Sequence, residues 1–222
     1  PVEYYTDNWP AATHAYLSEE YITGMSAPVL SDSPVFIHLI QQMDTLEKEY
    51  GRIEGYLNWQ GVLNNAYRIR GPEILTDLIV NPGLARHLFN MVTEAMIHGM
   101  QLVYGRQAST GVLVRHATVS NCLVNMVSPE QYREFLLPCD QRIADAFPSF
   151  GVHNCAWNVD PYIADYATIT PLDYVDMGLP SDLSEVRNLC PDTRRALMYT
   201  PMDLVNKSLE LLRTDLKRIH QE

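Results

Sequence analysis

Ser128-Pro-Glu-Gln-Tyr-Arg-Glu-Phe-Leu-Leu-Pro138, followed by Phe150-Gly-Val-His-Asn-Cys155, is the stretch on which the fold turns. Serine before proline, with glutamine at the third helical position, is a capping signature, so a helix begins at Ser128 and runs towards Phe147. Phe150 to Cys155 is a short, glycine-interrupted apolar run and reads as a strand. Upstream, Gly111-Val-Leu-Val-Arg-His116 reads as the preceding strand, with a loop from Ala117 to Val127. Downstream, Pro161 to Tyr166 forms a short helix, Tyr174-Val-Asp-Met177 a strand, Asp182 to Leu189 a helix and Ala196-Leu-Met-Tyr199 a strand. From Pro201 an amphipathic helix carries Leu204, Leu209, Leu212, Leu216 and Ile219 on one side, and Lys207, Arg213, Lys217 and Arg218 on the other.

Nearer the N-terminus, Ser33-Pro34 opens a helix to about residue 49, and Gly51-Arg-Ile-Glu-Gly-Tyr-Leu-Asn58 reads as a strand. Pro72 to Val80 and the run through Leu84, Leu88, Val92, Met96 and Met100 give two further helices, separated by Asn81-Pro82. Residues 1–30 read as coil with a short helix near Pro10 to Tyr21, without an assigned role.

Repeated strand-helix alternation predicts an α/β protein with a parallel sheet and crossover helices. No G-x-G-x-x-G or G-x-x-x-x-G-K-[ST] loop follows a strand, so a TIM (β/α)8-type barrel is favoured over a nucleotide-binding open sheet. The chain, 1–222, is read as a single barrel domain. Five strands are evident, with a sixth near residue 25, against the eight of a closed barrel. The barrel is therefore expected to be incomplete, its last strand lying outside this sequence, and the chain to be a segment of a longer protein. Barrel chemistry sits at the carboxyl ends of strands, which selects Asn58, His116, Asn121, Cys122, His153, Cys155, Asp176 and Tyr199.

A formal net charge of −11, with only 16 lysines and arginines and no basic run, argues against nucleic acid or an anionic membrane surface as partner. No apolar run approaches the roughly 20 residues needed to cross a bilayer. No secretory signal opens the sequence, and four scattered cysteines suit reduced thiols or metal ligands, so a cytoplasmic location is expected.

His153 and Cys155 alternate on one strand, about 7 Å apart along the backbone, so imidazole and thiolate can reach one ion. Zinc accepts both donors, and a catalytic zinc takes three protein ligands and keeps one open position. A mixed nitrogen and sulfur set also suits iron or cobalt. An isolated H-x-C is more commonly a small buried cysteine beside a hydrogen-bonded core histidine.

The run Val119-Ser-Asn-Cys-Leu-Val-Asn-Met-Val-Ser-Pro-Glu-Gln-Tyr-Arg-Glu-Phe-Leu-Leu-Pro138 with His153-Asn-Cys155 resembles the fourth and fifth units of the uroporphyrinogen decarboxylase superfamily. Gly71-Pro72-Glu73 with Asn81-Pro82 resembles its third unit, and Asp173-Tyr-Val-Asp-Met-Gly, Ser181-Asp182-Leu183 and Tyr199-Thr-Pro201 its sixth and seventh. The resemblance implies a TIM barrel, nearest a branch of zinc-dependent methyltransferases that move a methyl group between a corrinoid carrier and a thiol such as coenzyme M. It implies that His153 and Cys155 ligate zinc and that a corrinoid protein is a partner. That branch draws its third ligand from the last strand, which is missing here. Cys122, in the loop beside the pair, is the local candidate, whereas Cys190 ends a helix away from the site.

Asp176 is the candidate to orient His153, or else caps the turn that follows it. Asn58, Trp59, Asn121 and Trp157 are candidates to position a small-molecule thiol or methyl carrier. Two other readings compete. A tetrapyrrole decarboxylase would need convergent arginines, for which only Arg52, Arg68, Arg70 and Arg115 fall near suitable loops. A non-catalytic partial barrel would cover its open edge with a partner or a second copy of itself.

Overall fold

The computed structural model describes residues 2–3, 6–7, 11–12 and 15–221. They form an α/β fold whose five-stranded sheet has sequential strand order, consistent with a partial barrel of the TIM type. The chain divides into two compact units, one of residues 1–56 and 60–114, the other of 57–59 and 115–222.

In the first unit, strands β1 (Val2–Glu3) and β2 (Ala11–Ala12) pair antiparallel, and helix α1 (Glu19–Thr23) is capped by the Ser18 side chain. The helix expected from Pro10 to Tyr21 is thus replaced by a strand pair and a later, shorter helix; Pro10, Thr13 and His14 lie outside the described residues. No strand forms near residue 25, where Met25 closes the turn after α1 through its N–H to Ile22 O. Helix α2 (Pro34–Tyr50) has proline in its first turn and ends at Gly51, whose φ of 76° is left-handed. That conformation, with φ of 121° at Gly55, keeps residues 51–58 out of the ladder, so the expected strand there is displaced to β3 (Trp59–Gln60).

Helices α3 (Val62–Arg70), α4 (Glu73–Val80) and α5 (Pro82–Ala108) complete this unit. Asn81 caps α5, which buries Leu88, Phe89, Met100 and Val103. Arg70 Nε donates to Asp77 Oδ2 at 2.8 Å, and its Nη1 donates to Leu17 O.

In the second unit β4 (His116–Ser120), β5 (Ser149–His153), β6 (Tyr174–Gly178) and β7 (Arg194–Met198) run parallel. Strand β4 starts where its predicted counterpart ended, so His116 sits at the amino end of the sheet, opposite Ser149. The cause is Gly111, at φ 83°, past the end of α5: residues 112–115 lead into the ladder and do not join it. Helix α6 (Pro129–Gln131) carries the Ser128–Gln131 capping box, then continues through a π-helical segment, Tyr132–Leu136, into α7 (Leu137–Asp145). The widened turn precedes Pro138, which has no N–H to donate and whose ring crowds the preceding turn. Short helices α8 (Ile163–Tyr166) and α9 (Leu183–Leu189) separate the later strands. The final predicted helix breaks at Lys207 into α10 (Pro201–Asn206) and α11 (Leu209–Gln221).

The sheet has unlike faces. Ala117, Val119, Phe150, Val152, Val175 and Met177 are buried on one. The alternate positions of the same strands, Thr118, Ser120, His153, Tyr174 and Asp176 among them, make the other face polar. Among the described residues no helix is long and apolar enough to cross a membrane.

Candidate metal centre

The carboxyl ends of β4 and β5 bring the sulfur chemistry together. Asn121 N–H donates to His153 O at 2.7 Å, tying the residue after β4 to the end of β5 and leaving Cys122 beside Cys155. Cys155 leaves the strand with a φ of 57°, a left-handed turn that folds its thiol back towards His153. Cys155 Sγ lies 3.2 Å from His153 Nε2 and 2.9 Å from Cys122 Sγ. Donor atoms of Cys122, His153 and Cys155 all lie within 4.8 Å of one another, and all three residues are half-buried.

The donor chemistry suits zinc: two sulfurs and one imidazole nitrogen make three ligands of a tetrahedron and leave one position over. The imidazole is oriented for it. His153 Nδ1 lies 2.5 Å from Asp176 Oδ2, so Nδ1 carries the proton and Nε2 turns its lone pair towards the sulfurs. This hydrogen bond, opposed by partial burial, raises the His153 pKa above its ordinary value.

Asp176 is itself held. Its Oδ1 accepts from Asn154 N–H at 2.7 Å, its Oδ2 accepts from Tyr174 OH at 3.0 Å, and its main-chain oxygen accepts from Asn154 Nδ2 at 2.8 Å. Burial, reinforced by the Asp176 charge, pushes the Tyr174 phenol up to about 12. Tyr166 OH donates to Asn154 Oδ1 at 2.9 Å, completing a buried network under the cluster.

Gly178, at the end of β6, seats the turn after Cys155. Its N–H donates to Trp157 O at 2.9 Å, and a Cβ there would lie 1.9 Å from Ala156 O. Only glycine admits that approach.

The other expected residues are placed differently. The Asn121 amide is buried and donates to Asp140 Oδ2 at 2.8 Å, an acceptor shared with Tyr132 OH. Burial raises the Asp140 carboxyl to about 6. Asn58 is exposed and accepts from Ser120 Oγ at 2.7 Å, while Trp59 is half-buried in β3. Trp157 packs edge-on against Tyr162, and its Nε1–H is the single buried side-chain polar group without a hydrogen-bond partner among the described residues. Cys190 is buried at the end of α9, outside the cluster. Of the arginines considered as carboxylate binders, Arg52 pairs with Glu54 and Arg70 with Asp77.

Asn154, Tyr174 and Gly178 escaped the sequence reading. Tyr174 shares a strand face with Asp176 by simple alternation, a usable signal. Asn154 and Gly178 carry none beyond their places beside the motif and at a strand end.

No protein-family model matches the chain, and no curated protein matches it. The fold is similar to that of a solved methyltransferase from Methanosarcina mazei, with a TM-score of 0.71 and 16% sequence identity, covering 97% of this chain and 64% of that one. The chain therefore spans less than two thirds of the length of that structure.

Proposed function

We propose that the chain carries the zinc-binding half of a methyltransferase site, which passes a methyl group between a corrinoid or other methyl carrier and a zinc-activated thiol. The observation that carries this reading is the Cys122, His153 and Cys155 cluster with its imidazole held by Asp176. A fold likeness to a protein named a methyltransferase agrees with it. So does the partial-barrel arrangement, in which both ligand-bearing turns leave the carboxyl ends of parallel strands.

Bound zinc would supply Lewis acidity that makes a substrate thiol available as thiolate near neutral pH. The chain's own residues do the rest. Cys122 and Cys155 present sulfur, His153 presents Nε2, and Asp176 fixes the tautomer that leaves Nε2 unprotonated. Asn154 and Tyr174 hold the carboxylate so that the imidazole ring cannot swing. The methyl carrier would ride on a small molecule or a corrinoid-protein partner.

The test is metal content by mass spectrometry on chain purified without chelator, followed by methylation of coenzyme M by methylcobalamin. Near-stoichiometric zinc, lost in Cys122→Ser and Cys155→Ser, together with thiol methylation, is the expected result. Folded wild-type chain that takes up no zinc from buffer would refute the reading.

A further inference from the structure

The two thiols of the site are placed for a second chemistry. At 2.9 Å, Cys122 Sγ and Cys155 Sγ stand between two covalent arrangements. A disulfide holds its sulfurs about 2.05 Å apart, and two thiolates on one tetrahedral zinc are roughly 3.8 Å apart, given bonds of about 2.3 Å. Either state needs sulfur movement of roughly 0.9 Å, within the reach of side-chain rotation.

The backbone favours the encounter as well. The Asn121 N–H to His153 O bond pins the two turns together one residue before Cys122 and two before Cys155. Both thiols are half-buried, within reach of a small reagent, whereas Cys139, within α7, and Cys190, just past the end of α9, are 4% and 3% exposed.

We propose that Cys122 and Cys155 form a redox switch: a low-molecular-weight disulfide oxidises the pair to an intramolecular disulfide, which removes both sulfur ligands from the metal site. In the first step one thiolate attacks a sulfur of the reagent, forming a mixed disulfide and expelling one thiolate. The second cysteine then attacks the protein sulfur of that mixed disulfide and expels the other. The new protein S–S bond replaces the reagent's S–S bond. The protein gives up two electrons, and its two thiol protons end on the two reduced reagent thiols. The consequence for the metal rests on the proposed function; formation of the disulfide does not.

The test uses the whole chain, treated with chelator, checked for fold by circular dichroism, and incubated with oxidised glutathione. Thiols counted under denaturing conditions should fall from four to two. Peptide mapping should find one reductant-sensitive cross-link joining 122 to 155, absent in Cys122→Ser and Cys155→Ser. Four remaining thiols, stable glutathione adducts without a cross-link, or a cross-link to another cysteine would overturn the proposal. In a parallel arm with zinc supplied first, retention of all four thiols supports the switch. Cross-linking that proceeds equally with zinc supports the dithiol assignment and counts against the zinc reading alone.

Discussion

Asp176→Asn separates orientation of the metal ligand from support of the fold. The carboxylate, 1% exposed, receives three donors: His153 Nδ1–H and Tyr174 OH on Oδ2, and Asn154 N–H on Oδ1. An amide offers one acceptor oxygen and one NH2 donor. With the NH2 facing Asn154 N–H, two buried donors would oppose each other, leaving a backbone N–H unpaired at about 1–3 kcal/mol. The alternative keeps the oxygen on Asn154 and turns the NH2 towards His153. The imidazole then accepts at Nδ1, and its proton moves to Nε2, where it points at the sulfurs and blocks ligation. The second arrangement is the cheaper, so stability should change by about 1 kcal/mol while zinc affinity falls roughly 10- to 100-fold, the usual cost of losing an outer-sphere partner. Competition against a chromophoric chelator measures the affinity, and urea unfolding of the chelator-treated chain measures stability. Zinc affinity equal to wild type in a folded Asp176→Asn chain would refute the account of the tautomer.

Gly178→Ala should force the turn at Ala156 and Trp157 outward, because the new Cβ would meet Ala156 O at 1.9 Å and Ala156 C at 2.3 Å. The expected loss is about 3 kcal/mol of stability, together with zinc binding, both read in the same two assays. Asp140 is raised to about 6 when folded, from 3.8, so its contribution is full below pH 3.8 and is lost as pH rises through 6, about 3 kcal/mol in all. Both of its donors meet one oxygen, which an amide can keep, so Asp140→Asn should gain stability relative to wild type on going from pH 4 to pH 7.5 in urea titrations. Asp77→Ala leaves the enclosed Arg70 guanidinium without its carboxylate and should cost about 3 kcal/mol in unfolding by urea; a loss below 0.5 kcal/mol would mean that water replaces the partner.

How much of this was legible depended on which face of a strand a residue occupies. Strands β5 and β6 are legible from Phe150, Val152, Val175 and Met177, buried alternate positions that leave an apolar trace, whereas β7, with no buried residue, is legible only from its apolar run at Ala196, Leu197 and Met198. β4 was misplaced for the same reason in reverse. Its ladder alternates Ala117 and Val119 with His116, Thr118 and Ser120, and such a polar face reads as a loop, so the sequence pattern places the strand on the apolar Val112 and Val114 just upstream. The glycines at 51 and 111 read as strand boundaries, whereas Gly51 ends α2 in left-handed backbone and Gly111 lies in the turn beyond α5. His153, Cys155, Cys122 and Asp176 were all selected from the sequence, and the structure brings them together. The closeness of Cys122 to Cys155 depends on a hydrogen bond between two turns, which no local pattern encodes.

The cluster owes its geometry to one strand end and the strand beside it. His153 and Asn154 point to opposite sides of the chain, yet both terminate on Asp176, the first through its ring and the second through its N–H and its amide. A single buried carboxylate therefore orients the imidazole and anchors the residue before Cys155, while Gly178, two positions further along β6, receives the turn that follows it. Ligand orientation and ligand placement are consequently coupled through β6. The Cys122 turn is joined separately, by the Asn121 N–H, to the carbonyl of His153. Shear of β4 against β5 would separate the sulfurs without disturbing the imidazole. Displacement of β6 would disturb imidazole and Cys155 together, which makes the β5 and β6 contact the part of the sheet on which the centre depends most.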